Sequence, residues 1–292
     1  MFVPDPKTDF YVLYGYPLNA SLSSLMYNHT FNKLGLNKLY YPLEMQDENG
    51  VRDSLCSTGA NHVRGGNVTM PHKAFAAKYM DTLAESARQT GVVNTFYITP
   101  DGERVGHNTD GIGFANALES RLGVTVAAHR YLILGAGGAA TAIAFALAAR
   151  GAKALHCLCR QDDIHLLRDL EEKMAQYYPG VFTAAVLETK ELERGVKEND
   201  VVVHATKVGM HPNIDECLLD PELLEARHIV CDVIYNPQET KLLREARGRG
   251  CKTMGGLWML INQGAASFKI WTGMDAPVDY MYEIASAYFT NQ

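Results

Sequence analysis

The 292-residue sequence has no basic surplus, no paired cysteine spacing and no long apolar run, and each shortage closes off a class of function. Acidic side chains outnumber basic ones, 33 to 27, for a formal charge of -6. Nucleic acid and anionic membrane surfaces need clustered Lys and Arg, so neither is expected as a partner. A small anion, which a few local cations can hold, stays open. The six cysteines, Cys56, Cys157, Cys159, Cys217, Cys231 and Cys251, contain no CxxC pair. They read as reduced packing thiols rather than a disulfide framework or a zinc site. The most apolar window, residues 139–149, is too short to cross a bilayer. The opening MFVPDPKTDF lacks the basic-then-apolar layout of a signal peptide, and a cytoplasmic protein is the expectation. His72 and His107 flank polar segments without converging ligands, so no metal is expected.

What the sequence does have is alternation. From residue 130 onward, apolar runs at 131–134, 154–159, 182–187, 201–205 and 229–235 alternate with helical patterns. This predicts βαβ units and a parallel sheet covered on both faces. Before residue 113 a second α/β pattern runs through apolar stretches at 11–14, 38–42 and 63–68, with helices over 25–34 and from His72. The expected fold class is therefore α/β in two domains. An N-terminal substrate domain over 1–113 is completed by C-terminal helices from 256–292 that return to it, and 114–255 form a Rossmann-like, doubly wound dinucleotide-binding domain.

Leu132-Ile133-Leu134-Gly135-Ala136-Gly137-Gly138-Ala139-Ala140 follows an apolar strand and opens an alanine-rich helix, the context a dinucleotide fingerprint requires. Gly135 suits the tight turn, Gly137 lets backbone approach a pyrophosphate, and Ala140 is the third small position; Ala136, Gly138 and Ala139 complete the loop. The next strand delivers Cys159-Arg160-Gln161-Asp162-Asp163. A carboxylate at Asp162 accepts from ribose hydroxyls and repels a 2'-phosphate, whereas Arg160 stacks on adenine or meets a phosphate. With no second cation before Arg168, NAD is favoured and NADP stays possible; the same acids also suit a helix cap.

Three polar stretches, GGNVTMPHK (65–73), GVVNT (91–95) and GHNTDG (106–111), fall in the first domain. Each alone is an ordinary turn composition. Together they carry one lysine and one aspartate. A partly buried lysine can exchange a proton with a substrate hydroxyl, and a neighbouring carboxylate can orient it. Lys73 and Asp110 are the candidates, and a structural ion pair would use the same two residues.

At this point the sequence resembles the shikimate/quinate dehydrogenase family over nearly its full length. The resemblance rests on ordered segments: the serine stretch 15–24, NVTMPHK at 67–73, VNT at 93–95, NTDG at 108–111, GAGGA at 135–139, ATKVGM at 205–210, DVIYNP at 232–237 and GLWMLINQGAASF at 256–268. It implies reversible oxidation of the ring 3-hydroxyl of shikimate or quinate with a nicotinamide dinucleotide. Lys73 and Asp110 would be the catalytic pair, and Ser21, Ser23, Thr69 and Tyr235 would bind the substrate carboxylate. Asn94 and Gln263 would bind ring hydroxyls. Thr206, Val233 and Gly256 join Gly135, Ala136, Gly137, Gly138, Ala139, Arg160 and Asp162 as cofactor-binding residues. Two departures matter. Ala20 and Ser24 alter the flanks of the serine segment, and Cys159-Arg160-Gln161-Asp162 lacks the Thr and second cation of the family's NADP-type strand end. The second points to the quinate/shikimate branch that accepts NAD. The alternatives are a strict NADP-dependent shikimate dehydrogenase of aromatic biosynthesis, a relative acting on another ring acid, and a non-catalytic nucleotide-sensing protein. A monomer or homodimer is expected.

Overall fold

The structure, a computed structural model, describes residues 3–19, 21–58 and 62–290; Ala20 of the serine segment lies outside them. The chain divides into two compact units. One comprises the chain up to Thr109 and from Gln263 on; the other runs from Asp110 to Asn262.

The first unit holds β1 (Asp9–Gly15), α1 (Ser23–Lys33), β2 (Lys38–Glu44), α2 (Glu48–Ser57), β3 (Val63–Val68), α3 (Lys73–Ala77), β4 (Thr82–Leu83), α4 (Glu85–Thr90), β5 (Thr95–Ile98) and β6 (Arg104–His107). They form one six-stranded sheet, ordered β2-β1-β3-β5-β6-β4. β1 runs parallel to β2 and β3, while β5 is antiparallel to both β3 and β6. Successive β1 residues point to opposite faces. Val12 and Tyr14 join Val51, Leu55 and Phe96 in one core, whereas the Tyr11 ring meets Phe31 and Trp271 on the other side. The glycine pair of GGNVTMPHK is part of β3 rather than of a turn. A Cβ at Gly66 would stand 2.2 Å from the Val12 carbonyl oxygen, so the strand can lie this close only without side chains.

The second unit holds α5 (Asp110–Leu122), β7 (Arg130–Leu134), α6 (Gly138–Ala149), β8 (Ala154–Cys159), α7 (Ile164–Tyr177), β9 (Phe182–Val186), α8 (Thr189–Glu198), β10 (Val201–His204), β11 (Ile229–Asp232), α9 (Lys241–Gly248) and β12 (Lys252–Met254). Its six strands are all parallel in the order β12-β11-β10-β7-β8-β9. This is the doubly wound dinucleotide-domain order, with the switch between β7 and β10. Tyr131 and Ile133 pack with α5, α6 and α7 residues on one face, and Leu132 and Leu134 pack with α8 and α9 on the other.

Helix α10 (Gly256–Thr272) starts in the second unit and ends in the first, where α11 (Val278–Thr290) packs on α1. The joints thus lie at Thr109/Asp110 and inside α10, not at 113 and 256. α5 belongs to the second unit from its first residue because it lies against α6. The apolar run 229–235 is strand only to Asp232, whose Oδ1 accepts the Ile234 N–H at 3.0 Å and turns the chain. β12 has three residues, too few to show a period. No helix among the described residues is long and apolar enough to cross a membrane.

Candidate active site

In the first unit the pairing directions gather the polar segments at one end of the sheet. β1, β3 and β6 finish there and the antiparallel β5 begins there, so Asn67, Thr95 and His107 stand in register across three strands. Just beyond lie the serine segment after β1, Thr69 to Lys73 after β3, Asn94 before β5, and Asn108 and Thr109 after β6. Backbone bonds fix the lysine turn. Thr69 N–H donates to Tyr14 O at 2.8 Å, His72 N–H to Thr69 O at 3.0 Å, and Val93 N–H to Lys73 O at 3.0 Å. Lys73 is the first residue of α3 and half-buried. His72 is a fastener, with Nε2 2.7 Å from Met45 O. His107 lies beside the Tyr97 ring, and burial lowers its pKa.

Behind these segments is a buried polar network that sequence reading largely missed. Asn94 Oδ1 accepts the Thr109 N–H at 2.8 Å, and its Nδ2 donates to Thr109 Oγ1 at 3.0 Å and to Gln263 Oε1 at 3.3 Å. Thr95 and Ser267 hydroxyls lie 2.7 Å apart, and Asn67 Nδ2 donates to Asn94 O, Thr95 Oγ1 and Ser267 Oγ. Tyr40 donates to Asn67 Oδ1 at 2.8 Å. Ser21 Oγ accepts the Ser23 N–H at 3.3 Å, although α1 itself has no side-chain cap. Ser267 was findable, being four residues after Gln263 and so on the same helix face. Tyr40 sits in an ordinary strand pattern and carried no signal.

Asn67 is the hub. Asn67→Ala strands the Tyr40 hydroxyl and takes the amide donor from Thr95 and Ser267 in a dry interior, where an unmatched group costs about 1–3 kcal/mol, while the Asn94 carbonyl keeps the Val68 N–H. We expect unfolding free energy to fall by about 2–4 kcal/mol, read from urea midpoints. An unchanged midpoint would mean water substitutes for the side chain.

In the second unit every proposed cofactor residue lies past the carboxyl end of a strand, where ligands of such sheets bind. Gly135 follows β7 with φ +127°, and its Cβ would be 2.7 Å from Ala205 O. Ala136 is buried, Gly137 and Gly138 are exposed with open space where a side chain would be, and Ala139 is half-buried in the first turn of α6. Backbone bonds tie the loops together: Gly135 N–H to Leu158 O, Ala205 N–H to Leu134 O, Val233 N–H to His204 O, and Gly256 N–H to Ile234 O. Burial pushes the Tyr235 hydroxyl up from its ordinary pKa.

After β8, the exposed Arg160 donates from Nε and Nη2 to Asp163 Oδ2 at 3.0 and 2.8 Å. That bond raises the guanidinium pKa further. Asp163 stands at the start of α7 but makes no side-chain cap there. Asp162 is exposed. Asp110 opens α5 in the second unit, covalently next to the Thr109 that Asn94 holds in the first.

These loops and turns match known proteins. Residues 13–96 fit the shikimate dehydrogenase substrate binding domain, and residues 256–285 the shikimate 5'-dehydrogenase C-terminal domain. A protein of Alkaliphilus oremlandii (strain OhILAs) named shikimate dehydrogenase (NADP(+)) is 38% identical over 282 residues, 96% of this chain and 97% of its own. This chain belongs to the shikimate dehydrogenase family. It is accordingly an oxidoreductase acting on a CH–OH group. Among solved structures, shikimate 5-dehydrogenase from Listeria monocytogenes in complex with shikimate and NAD superposes with a TM-score of 0.92 at 36% identity, covering 97% of this chain and 98% of that one. Quinate dehydrogenase from Corynebacterium glutamicum in complex with NAD gives 0.88 at 28% identity, covering 96% and 99%.

Proposed function

We propose that this protein is a shikimate dehydrogenase that interconverts shikimate and its 3-dehydro ketone, with NADP as the principal dinucleotide. The reading rests on Lys73, Asn94 and Thr109 gathering at one end of the first unit's sheet. Curated relatives across nearly the whole length carry shikimate and NADP in their names, so this reading replaces the expected quinate/shikimate enzyme favouring NAD.

In the oxidation direction Lys73 takes the hydroxyl proton and returns it on reduction, with Asp110 orienting the ammonium. Asn94 and Gln263 hold ring hydroxyls, since amides both donate and accept. Ser21, Ser23, Thr69 and Tyr235 donate to the carboxylate. The glycine loop fits a dinucleotide: Gly137 and Gly138 leave backbone N–H groups bare at the start of α6, where a pyrophosphate is favoured. When bound, the nicotinamide supplies the two-electron redox chemistry.

One observation favours a second reading, that NAD is also accepted. Arg160, the cation proposed to meet a 2'-phosphate, is already held by Asp163. The pair is exposed, and exposed pairs are worth little, so a dianionic phosphate can compete for the guanidinium. The test is kcat/KM for shikimate and quinate against NADP and NAD. Shikimate with NADP is expected to lead quinate with NADP by at least about tenfold. Arg160→Ala should raise the KM for NADP by about tenfold and that for NAD less. Quinate with NAD as the best pair would overturn the proposal, and no turnover with any pair would favour a nucleotide sensor.

A further inference from the structure

Beneath the loop after β10 lies a buried polar chain that the proposed chemistry does not use. His204, the last residue of β10, has Nδ1 3.0 Å from Asp232 Oδ1, at the end of neighbouring β11, and Nε2 2.6 Å from Thr206 Oγ1. Both members of the His–Asp pair are almost fully buried. Asp232 also accepts the Ile234 N–H at Oδ1, 3.0 Å, and the Thr240 hydroxyl at Oδ2, 2.7 Å. Thr206 Oγ1 in turn accepts the Val208 N–H at 3.1 Å.

The direction of this chain follows from the donor and acceptor inventory. A carboxylate only accepts, so the imidazole proton lies on Nδ1. Nε2 lies 2.6 Å from the Thr206 hydroxyl, which is thereby engaged inward. The same oxygen takes the Val208 N–H and closes the turn. Asp232 is anchored by three donors on two strand ends and the start of α9, so it cannot drift. That rigidity reaches Thr206 through one imidazole.

We propose that His204 is a positioning residue for the dinucleotide, holding the Thr206–Val208 turn at the carboxyl end of β10 through the Thr206 hydroxyl. The inference rests on the reading that this unit binds a nicotinamide dinucleotide. It goes beyond it by assigning the Thr206 hydroxyl to an inward hydrogen bond with His204, so that the residue meets the cofactor through its backbone.

Two substitutions break the same bond from opposite sides. His204→Asn keeps an amide near the Nδ1 position for Asp232 but cannot reach Thr206; Thr206→Val keeps the β-branched shape and loses the hydroxyl. NADP and NAD are titrated into the intact protein without substrate, following fluorescence or calorimetry, with thermal unfolding measured in parallel. Each single variant is expected to weaken the tighter dinucleotide by about five- to tenfold, the worth of one hydrogen bond, and the double variant by no more than either single. Thr206→Ser should restore wild-type affinity. A role confined to stability would lower the melting temperature and leave affinity alone. Multiplying effects in the double variant, unchanged affinity in the singles, or failure of Thr206→Ser would overturn the inference. If His204→Asn does not fold, the Thr206→Val and Thr206→Ser comparison decides it. Wild-type protein that binds neither dinucleotide would remove the underlying reading as well, whereas tight wild-type binding with unaffected variants removes only this one.

Discussion

Lys73→Ala lowers the single-turnover rate of shikimate oxidation by about 10³, the middle of the range for a lost general acid or base, with dinucleotide affinity unchanged. The expectation follows from where the residue stands. Lys73 opens a short helix whose start is pinned to β1 through Tyr14 and to the segment before β5 through Val93, so its backbone is placed before any substrate arrives. The residue as a whole is half-buried. Lys73→Arg separates charge from proton transfer. A guanidinium keeps the positive charge but does not give up its proton in the working range, so the arginine variant should remain nearly as slow as the alanine one. Near-normal turnover in Lys73→Ala would take the lysine out of the chemistry; recovery in Lys73→Arg would reduce its role to electrostatic attraction.

The second unit was far more legible than the first, for a physical reason. Strands buried on both faces are continuous apolar runs, and Tyr131 to Leu134, Ala154 to Cys159 and Val201 to His204 announce themselves by composition. Sheet order followed because a glycine loop after the first strand fixes where the chain turns outward. In the first unit β5 and β6 are four residues each, and their antiparallel return through β3 left no periodic trace. The polar blocks were legible as composition but not as a network. Asn94 reads as a ligand-facing amide, and the sequence does not show that its carboxamide is also engaged by Thr109 and Gln263. Nothing in a linear sequence says that Tyr40 closes the circuit at Asn67. Arg160 and Asp162 read as opposing signals in the sequence, whereas the partner the guanidinium holds is Asp163, a choice made by the short helical turn after β8. His204 looked like one more residue of an apolar strand and carried no mark of its link to Thr206.

Gly111 shows how one block can hold two functions. It follows Asp110 at the head of α5, and a Cβ there would stand 2.0 Å from Ala142 O and 2.9 Å from Ala146 Cβ on α6. Helix propensity alone makes Ala better than Gly by about 1 kcal/mol. Steric overlap with helix backbone cannot be relieved by a rotamer change, so α5 has to move off α6. We expect Gly111→Ala to cost about 3 kcal/mol or more of unfolding free energy, at the upper end for overpacking. Gly248, the last residue of α9, meets nothing within 4 Å of its Cβ position, and Gly248→Ala is expected to be neutral or to stabilise by about 0.5–1 kcal/mol. Opposite signs for one substitution type would locate the effect in packing rather than in propensity. Because α5 begins at Asp110, its displacement also moves the proposed acid. Gly111→Ala should therefore lose activity even at temperatures where it remains folded, while Gly248→Ala keeps it. Equal stability in the two variants would show that α5 and α6 can separate without cost, and that Gly111 is not a packing requirement.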